Sequence, residues 1–276
     1  KLSGPAMHLK LEKALKISKE GRLLVHCWRG GMRSEAMAWL FSLGGIETIV
    51  LDGGYKAYRH FILENLSVKR NMIILGGLTG SGKTHILGYL KEKGHQVIDL
   101  EILASHKGSA FGSLGQAPQP SSEFFANLLF EELKQNDPEQ PLWLEDESRN
   151  IGNVFMPEEF YLNMQKNPVI ILLMDIKTRL PRLIEEYSCY SSDVLISIII
   201  KIGRRLGGDR TKEATEAVQR GDYAKAIEIT LHYYDKTYLY GLGKKQGKNI
   251  HYVNTDTDDM ESNASLVLEA AGRIKR

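Results

Sequence analysis

The run Met72-Ile73-Ile74-Leu75-Gly76 leads into Gly77-Leu78-Thr79-Gly80-Ser81-Gly82-Lys83-Thr84 and then into the helical pattern His85-Ile86-Leu87-Gly88-Tyr89-Leu90. An apolar strand, a Gly-x4-Gly-Lys-Thr loop and a helix in that order specify a phosphate-binding β-loop-α unit. Gly77, Gly80 and Gly82 let the backbone, with Ser81, turn amides toward phosphate oxygens. Lys83 neutralises charge, Thr84 can ligate Mg²⁺, and the helix N-terminus adds a favourable dipole. Leu142-Trp143-Leu144-Glu145-Asp146-Glu147 ends a second apolar strand in acids. Glu145 and Asp146 are the expected metal-facing pair if a metal binds, the competing role being a counter-ion to Arg149. The motif implies phosphate binding rather than nucleotide hydrolysis, and no metal site is assigned with certainty.

Around this unit the pattern is α/β. Apolar strands are expected at Gln96–Asp99, Leu142–Glu145, Val169–Met174 and Ile250–Val253, alternating with helices as in a mostly parallel sheet. Residues 179–240 read as helical and hold most of the tyrosines. Upstream, residues 9–20 have helical periodicity with Gly21 as the stop. Strand Leu23–His26, helix Ser34–Leu43 and strand Thr48–Leu51 then form a βαβ unit, closed by Asp52-Gly53-Gly54-Tyr55 and a connecting helix within 56–70. Two domains follow: residues 1–66, and residues 71–276 with a helical basic region at about 179–248.

Cys27 lies at the end of the first of these strands, in Cys27-Trp28-Arg29-Gly30-Gly31-Met32-Arg33-Ser34. A thiol is nucleophilic as thiolate, which helix N-terminal amides and cations favour. Gly30 and Gly31 allow a nest of inward N–H groups, Arg29 and Arg33 add charge, and Ser34 is placed to cap the following helix. A free cysteine is most often a buried packing residue; a loop crowded with glycine and arginine favours the anion-binding reading. Trp28 is either a rim aromatic or a packing anchor.

The chain has two cysteines, Cys27 and Cys189, in unlike contexts, so neither a disulfide framework nor a thiolate cage is expected. The longest apolar run, Val169–Met174, is too short to span a bilayer and no signal-peptide pattern opens the sequence, so a cytoplasmic protein is expected. Net charge is only +2, but residues 201–248 hold 11 basic against 6 acidic side chains, which marks them for a polyanion. Arg204, Arg205, Arg210 and Lys212, with Lys201, Lys244, Lys245 and Lys248, are interleaved with Tyr223, Tyr233, Tyr234, Tyr238 and Tyr240. Rings beside cations suit unstacked bases on a phosphate backbone, while helix packing is the competing role for each tyrosine.

These residues together closely resemble the bacterial tRNA 2-selenouridine synthases, in which a rhodanese-like domain precedes a P-loop domain. The resemblance runs through the cysteine loop, Gly53-Gly54-Tyr55-Lys56, Gly77 to Thr84, His106-Lys107-Gly108-Ser109-Ala110-Phe111-Gly112, Gln119-Pro120-Ser121, Glu145-Asp146-Glu147-Ser148-Arg149, Arg205-Leu206-Gly207-Gly208 and Tyr233-Tyr234-Asp235-Lys236. It implies replacement of sulfur by selenium in wobble 2-thiouridine of tRNA, with selenophosphate as donor and Cys27 on the catalytic cysteine. It also implies a geranylated intermediate made from geranyl diphosphate. His106 is available for proton transfer or for a structural role. About seventy residues precede the P-loop strand, fewer than a small domain needs. The rhodanese-like part is therefore expected to be N-terminally truncated, with an exposed sheet edge. The rival readings are a P-loop small-molecule kinase with an inert rhodanese-like remnant, and a tRNA-binding fragment without activity.

Overall fold

The computed structural model describes residues 3–244 and 249–274, so Lys245 and Lys248 lie outside the described residues, as does the side chain of Lys244. The chain divides into two compact units, residues 1–66 and 67–276.

The first unit runs α1 (Ser3–Ile17), β1 (Arg22–Val25), α2 (Met32–Leu43), β2 (Glu47–Val50) and α3 (Gly54–Ser67). Strands β1 and β2 are parallel, with Arg22 opposite Glu47 and Val25 opposite Val50. Among the described residues no third strand joins them. Leu24, Ile49 and Val50 are exposed on this two-stranded sheet, and Trp39 and Leu43 are exposed on α2. The expected helix 9–20 starts earlier and stops at Ile17; Gly21, at φ +71°, makes the turn into β1.

The second unit is built on a five-stranded, wholly parallel sheet of order β4-β5-β3-β8-β9. Its elements are β3 (Met72–Gly77), α4 (Lys83–Glu92), β4 (Gln96–Val97), α5 (Leu100–Ala104), α6 (Ser122–Lys134) and β5 (Leu142–Glu145). After a short hairpin, β6 (Asn150–Ile151) and β7 (Val154–Phe155), come α7 (Glu158–Met164), β8 (Val169–Met174), α8 (Ile176–Ser188), α9 (Ser192–Leu206), α10 (Gly208–Gln219), α11 (Tyr223–Lys244), β9 (Ile250–Thr255) and α12 (Met260–Gly272). Strand β3 is central and buried throughout, which is why it reads as an unbroken apolar run rather than an alternating one. Its neighbours β5 and β8 pair with it at Met72 with Leu142 and Ile74 with Val169. Ile73, Leu75, Trp143, Ile170 and Leu172 from these strands pack against Ile86, Leu87 and Leu90 of α4 and Val267 of α12. Each fully buried aliphatic side chain contributes about 1.5–3 kcal/mol.

The long helical stretch is four helices with their own core. In α9 the buried residues Leu195, Ile198, Ile199, Ile202 and Leu206 recur at one-turn spacing and meet Ala214, Ala217 and Val218 of α10. No helix of the described residues is long and apolar enough to cross a membrane.

Candidate functional site

Parallel α/β sheets place ligands beyond the carboxyl ends of their strands. Here β3 delivers Gly77–Thr84 to that end and β5 delivers Glu145–Glu147 beside it. Gly82 takes φ +78° as N-cap of α4, so the first amides of that helix face the loop hollow. Lys83 Nζ donates to Gly77 O at 3.1 Å and lies 3.5 Å from Leu78 O, curled over the loop. Ser81 is buried and its Oγ has no hydrogen-bond partner.

The acids sort themselves by partner. Thr84 Oγ1 lies 3.2 Å from Glu145 Oε1 and 3.4 Å from Glu101 Oε2, and Glu101 N reaches Glu145 Oε2 at 3.5 Å. Asp146 is engaged otherwise: its Oδ2 accepts from the Tyr238 hydroxyl at 3.1 Å, while that oxygen accepts from Gly77 N at 2.9 Å. The expected pair Glu145 and Asp146 is thus split, and Glu101 takes the place given to Asp146. Successive side chains of an extended segment point to opposite sides, so two adjacent acids cannot both face Thr84. Burial, then the charges of Glu101, Asp99 and Glu147, pushes the Glu145 carboxyl well above the usual carboxylate range. Glu147 is pushed up to about 8 by burial and by Glu101, against the pull of Lys83. Glu101 is raised by burial, with Lys83 opposing. Burial also raises the Tyr238 phenol, with Asp146 adding to the effect, so it stays a donor.

Helix α8 contributes two arginines absent from the sequence-derived site. Arg179, 2% exposed, binds Asp235 through Nη1 at 3.1 Å and Nη2 at 2.6 Å, and donates to Thr79 O at 2.8 Å. Arg182 donates to Gly80 O at 3.3 Å and pairs with Asp258. Neither has a sequence signal beyond a basic residue on a helix following the strand next to β3. For Glu101, a second strand end with acids, at β4, was the available clue.

The loop 106–112 lies over this acidic corner: a Cβ on Gly108 would meet the Glu147 carboxylate at 2.6 Å. His106 is buried with Nδ1 unpartnered, and burial lowers its pKa, so the ring is neutral and packed. This favours its structural role. Gln119 ties the same corner together, donating to Ala104 O at 3.0 Å and Ile151 O at 2.9 Å.

Next to the phosphate loop, α8, α9, α10 and α11 enclose a narrow apolar cavity that Thr79, Phe111, Leu183, Leu195, Ile199 and Leu231 help to line. Tyr223 and Tyr234 stand in its wall, and burial pushes the Tyr234 phenol up to about 12. Tyr233 packs beside them. These three rings, expected on a nucleic-acid face, are partly buried against the helical core, and the Tyr238 hydroxyl bonds the phosphate loop. Tyr240 is exposed. Arg204, Arg205, Arg210 and Lys212 are exposed as expected, and Arg204 and Lys212 flank a shallow groove between α9 and α10.

In the first unit, Cys27 follows β1, half-buried, with Sγ 3.5 Å from Ser34 Oγ. Ser34 does not cap α2. The helix starts at Met32 with Gly31 as N-cap, and Ser34 sits one turn in, its Oγ 2.9 Å from Gly31 O. Gly31, at φ +107°, makes the turn that the sequence assigned to a later residue. The hydroxyl proton can serve Gly31 O when the thiol is neutral and turn to sulfur when it is ionised. The Cys27 pKa is lowered, first by the Ser34 hydroxyl and also by the N–H groups of Arg29, Ser34 and Gly30, against burial. The side chains of Arg29 and Arg33 are exposed, and Arg29 contributes to that lowering through its backbone N–H. Gly53 and Gly54 pack beneath the loop: a Cβ on Gly54 would fall 2.2 Å from Gly30 N and 2.4 Å from Cys27 O. Trp28 is half-exposed, with its ring 5.8 Å from that of Tyr55.

Among the described residues no three His, Cys, Asp or Glu side chains form a metal-holding group. A profile described as the tRNA 2-selenouridine synthase AAA domain matches residues 70–265, which contain the phosphate loop, the acidic strand ends and both arginines. The chain belongs to the tRNA 2-selenouridine synthase family. Curated tRNA 2-selenouridine synthases align with most of it. The protein of Nitrosomonas europaea is 29% identical over 89% of this chain and 76% of its own length. That of Shewanella frigidimarina is 35% identical over 82% and 70%, and that of Bdellovibrio bacteriovorus 33% over 80% and 69%. Among solved structures, a tRNA isopentenylpyrophosphate transferase from Bacillus halodurans covers 74% of this chain at 12% identity and a TM-score of 0.39, too low to carry an argument. Family membership agrees with the resemblance read from the motifs; the phosphate-loop unit is the part matched by the profile.

Proposed function

We propose that this chain is a cytoplasmic transferase that replaces sulfur by selenium in wobble 2-thiouridine of tRNA, through a geranylated intermediate. The phosphate loop holds the diphosphate of geranyl diphosphate. The base sulfur attacks C1 of the geranyl group, the C–O bond breaks toward oxygen, pyrophosphate leaves, and the base gives up its N3 proton. Selenium from selenophosphate then adds at C2, geranylthiolate departs with the C–S electron pair, and water cleaves the Se–P bond to release phosphate. Alkylation makes the exchange feasible because it turns a thione sulfur into a leaving group.

The observation that carries the phosphate half is Lys83 and the α4 amides around one hollow, with Thr84 beside Glu145. The apolar lining at Thr79 favours a hydrocarbon chain over a nucleoside, and the cavity, about 30 Å³ as it stands, must widen to take one. Thr230, in its wall, gives its hydroxyl to Ala226 O and Ile227 O of its own helix, and the Tyr187 phenol bonds Ser109. Tyr234 adds one hydroxyl, too little to read a base. Thr84 and Glu145 fit Mg²⁺, which uses one or two carboxylates and completes its shell with water and phosphate oxygens; it would offset diphosphate charge against the acids. Cys27, in a rhodanese-like unit, is the thiolate of the selenium half, supported by its lowered pKa and amide nest. Arg204, Arg205, Arg210 and Lys212 hold the tRNA backbone.

The test is mass spectrometry of nucleosides from 2-thiouridine-containing tRNA incubated with the chain, geranyl diphosphate and selenophosphate. Both modified bases are expected. Lys83→Ala should lose geranylation while keeping tRNA affinity, and Cys27→Ser should lose selenation while keeping geranylation. Geranylation at the wild-type rate in Lys83→Ala overturns the phosphate assignment, and absence of both products overturns the activity.

A further inference from the structure

Arg179 and Arg182 stand one turn apart on α8 and both reach the phosphate loop, but they are held very differently. Arg179 is buried and locked between Asp235 and the Thr79 carbonyl. Arg182 is 18% exposed and its link to the loop is a single 3.3 Å contact with Gly80 O. Its Nη1 fills the hollow over Gly82, where a Cβ would fall 2.1 Å from that nitrogen. Gly82 is the N-cap of α4, and Lys83 follows it. The other terminal nitrogen of Arg182 pairs with the carboxylate of Asp258 and lies 3.5 Å from the Asp258 carbonyl. Asp258 sits between β9 and α12 and is 45% exposed.

We propose that Arg182 is the second cation of the phosphate seat, a positioning residue that selects a diphosphate over a monophosphate, and that Asp258 is the resting counter-ion the diphosphate displaces. This inference rests on the reading that the loop holds a diphosphate. One phosphoryl group is met by Lys83 and the α4 amides. A second, adjacent phosphoryl group carries further charge, and the guanidinium fork suits two of its oxygens at once. Asp258 sharpens the choice, because a ligand must offer Arg182 more than a carboxylate does before the ion pair opens. A monophosphate seated at Lys83 has no second group with which to compete. As the C–O bond of a diphosphate ester breaks, charge grows on the bridging oxygen, and a cation already in the hollow stabilises it without reorganisation.

Isothermal titration of the full chain with pyrophosphate and with inorganic phosphate, each with Mg²⁺, tests this in the wild type, Arg182→Gln, Asp258→Asn and Lys83→Ala. Arg182→Gln should weaken pyrophosphate by about tenfold or more and inorganic phosphate by less than about twofold, the loss expected of one charge-assisted contact. Asp258→Asn should tighten pyrophosphate by a few fold. A purely structural Arg182–Asp258 pair predicts the opposite for Asp258→Asn, an unchanged or weaker affinity, and that result overturns the proposal even if Arg182→Gln folds poorly. Equal losses for both ligands in Arg182→Gln, or none, also overturn it. The parent reading fails separately: it falls, and this inference with it, if the wild type shows no pyrophosphate binding that Lys83→Ala removes.

Discussion

Asp235→Asn isolates the ion pair that joins α8, α11 and the phosphate loop. The Arg179 guanidinium is 2% exposed, donates two bonds to the Asp235 carboxylate and one to Thr79 O, and its Nε has no partner. Removing the carboxylate charge leaves a cation in the interior with only neutral acceptors, the Thr79 carbonyl and the new amide oxygen. Breaking a buried pair from one side costs about 3–5 kcal/mol, and the lower end applies here because Asp235 is 20% exposed. For a unit of this size each kcal/mol shifts the midpoint by about 2–4 °C, so a fall of roughly 6–12 °C is expected. Trp143, buried in β5, reports on this unit by fluorescence, whereas Trp28 and Trp39 belong to the other. Two units need not melt together, so the Trp143 transition is the one to follow. The double change Arg179→Met with Asp235→Leu removes both charges and should recover most of the stability. It should not recover phosphate binding, because the anchor on the Thr79 carbonyl is gone. A midpoint within about 2 °C of wild type for Asp235→Asn, less than about 1 kcal/mol, would refute the reasoning. So would wild-type pyrophosphate affinity in the double variant.

Other outcomes follow from the same geometry. In a Cys189→Ser background, alkylation of Cys27 by iodoacetamide should rise with pH through a midpoint below that of a free thiol, about 8.5, because the folded site favours the thiolate. Ser34→Ala removes the largest source of that preference and should move the midpoint upward; an unmoved midpoint would assign the effect to the amides alone. Ala226→Val, which takes up the small cavity beside Thr79, should weaken geranyl diphosphate while leaving pyrophosphate within about twofold, less than half a kcal/mol; parallel losses would place the chain elsewhere. Arg204→Ala with Lys212→Ala should weaken tRNA binding at every sequence and make the slope of log affinity against log salt shallower by about 2, one per lost phosphate contact. An unchanged slope would remove the α9–α10 groove from the interface.

The phosphate loop and the central strand were legible because their information is local. A buried strand must be apolar throughout, and the glycines of Gly77–Thr84 encode a backbone path without help from distant residues. The same holds for Cys27, whose nest is made by the next seven residues. Glu101, Arg179 and Arg182 were missed, and Tyr238 was assigned to a different face, because tertiary structure brings them to the phosphate loop. Tyr238 is 161 positions from the Gly77 amide it binds, and Arg179 is 100 from Thr79. Ser34 shows a subtler limit, since a serine before an apolar pattern signals a cap only if the preceding residue cannot make the turn. Here Gly31 can, and the serine is freed to face the sulfur. Tyr223, Tyr233 and Tyr234 show the converse limit, since a ring among lysines reads as a surface until the partner helix that partly covers it is known.

The two anion sites solve opposite electrostatic problems. At Cys27 the anion is the protein's own sulfur, half-exposed, so N–H dipoles and one hydroxyl suffice to favour the thiolate and formal cations can stay in solvent. At the phosphate loop the anion comes from outside into a corner already crowded with Glu101, Glu145 and Glu147, whose raised pKa values record the cost of placing charge there. Dipoles alone cannot offset that crowding, because burial strengthens repulsion among the acids as much as it strengthens attraction to the loop. The corner therefore needs formal cations. The chain supplies Lys83 from the motif and two arginines from α8, one spent on holding the loop and one left where a ligand can claim it.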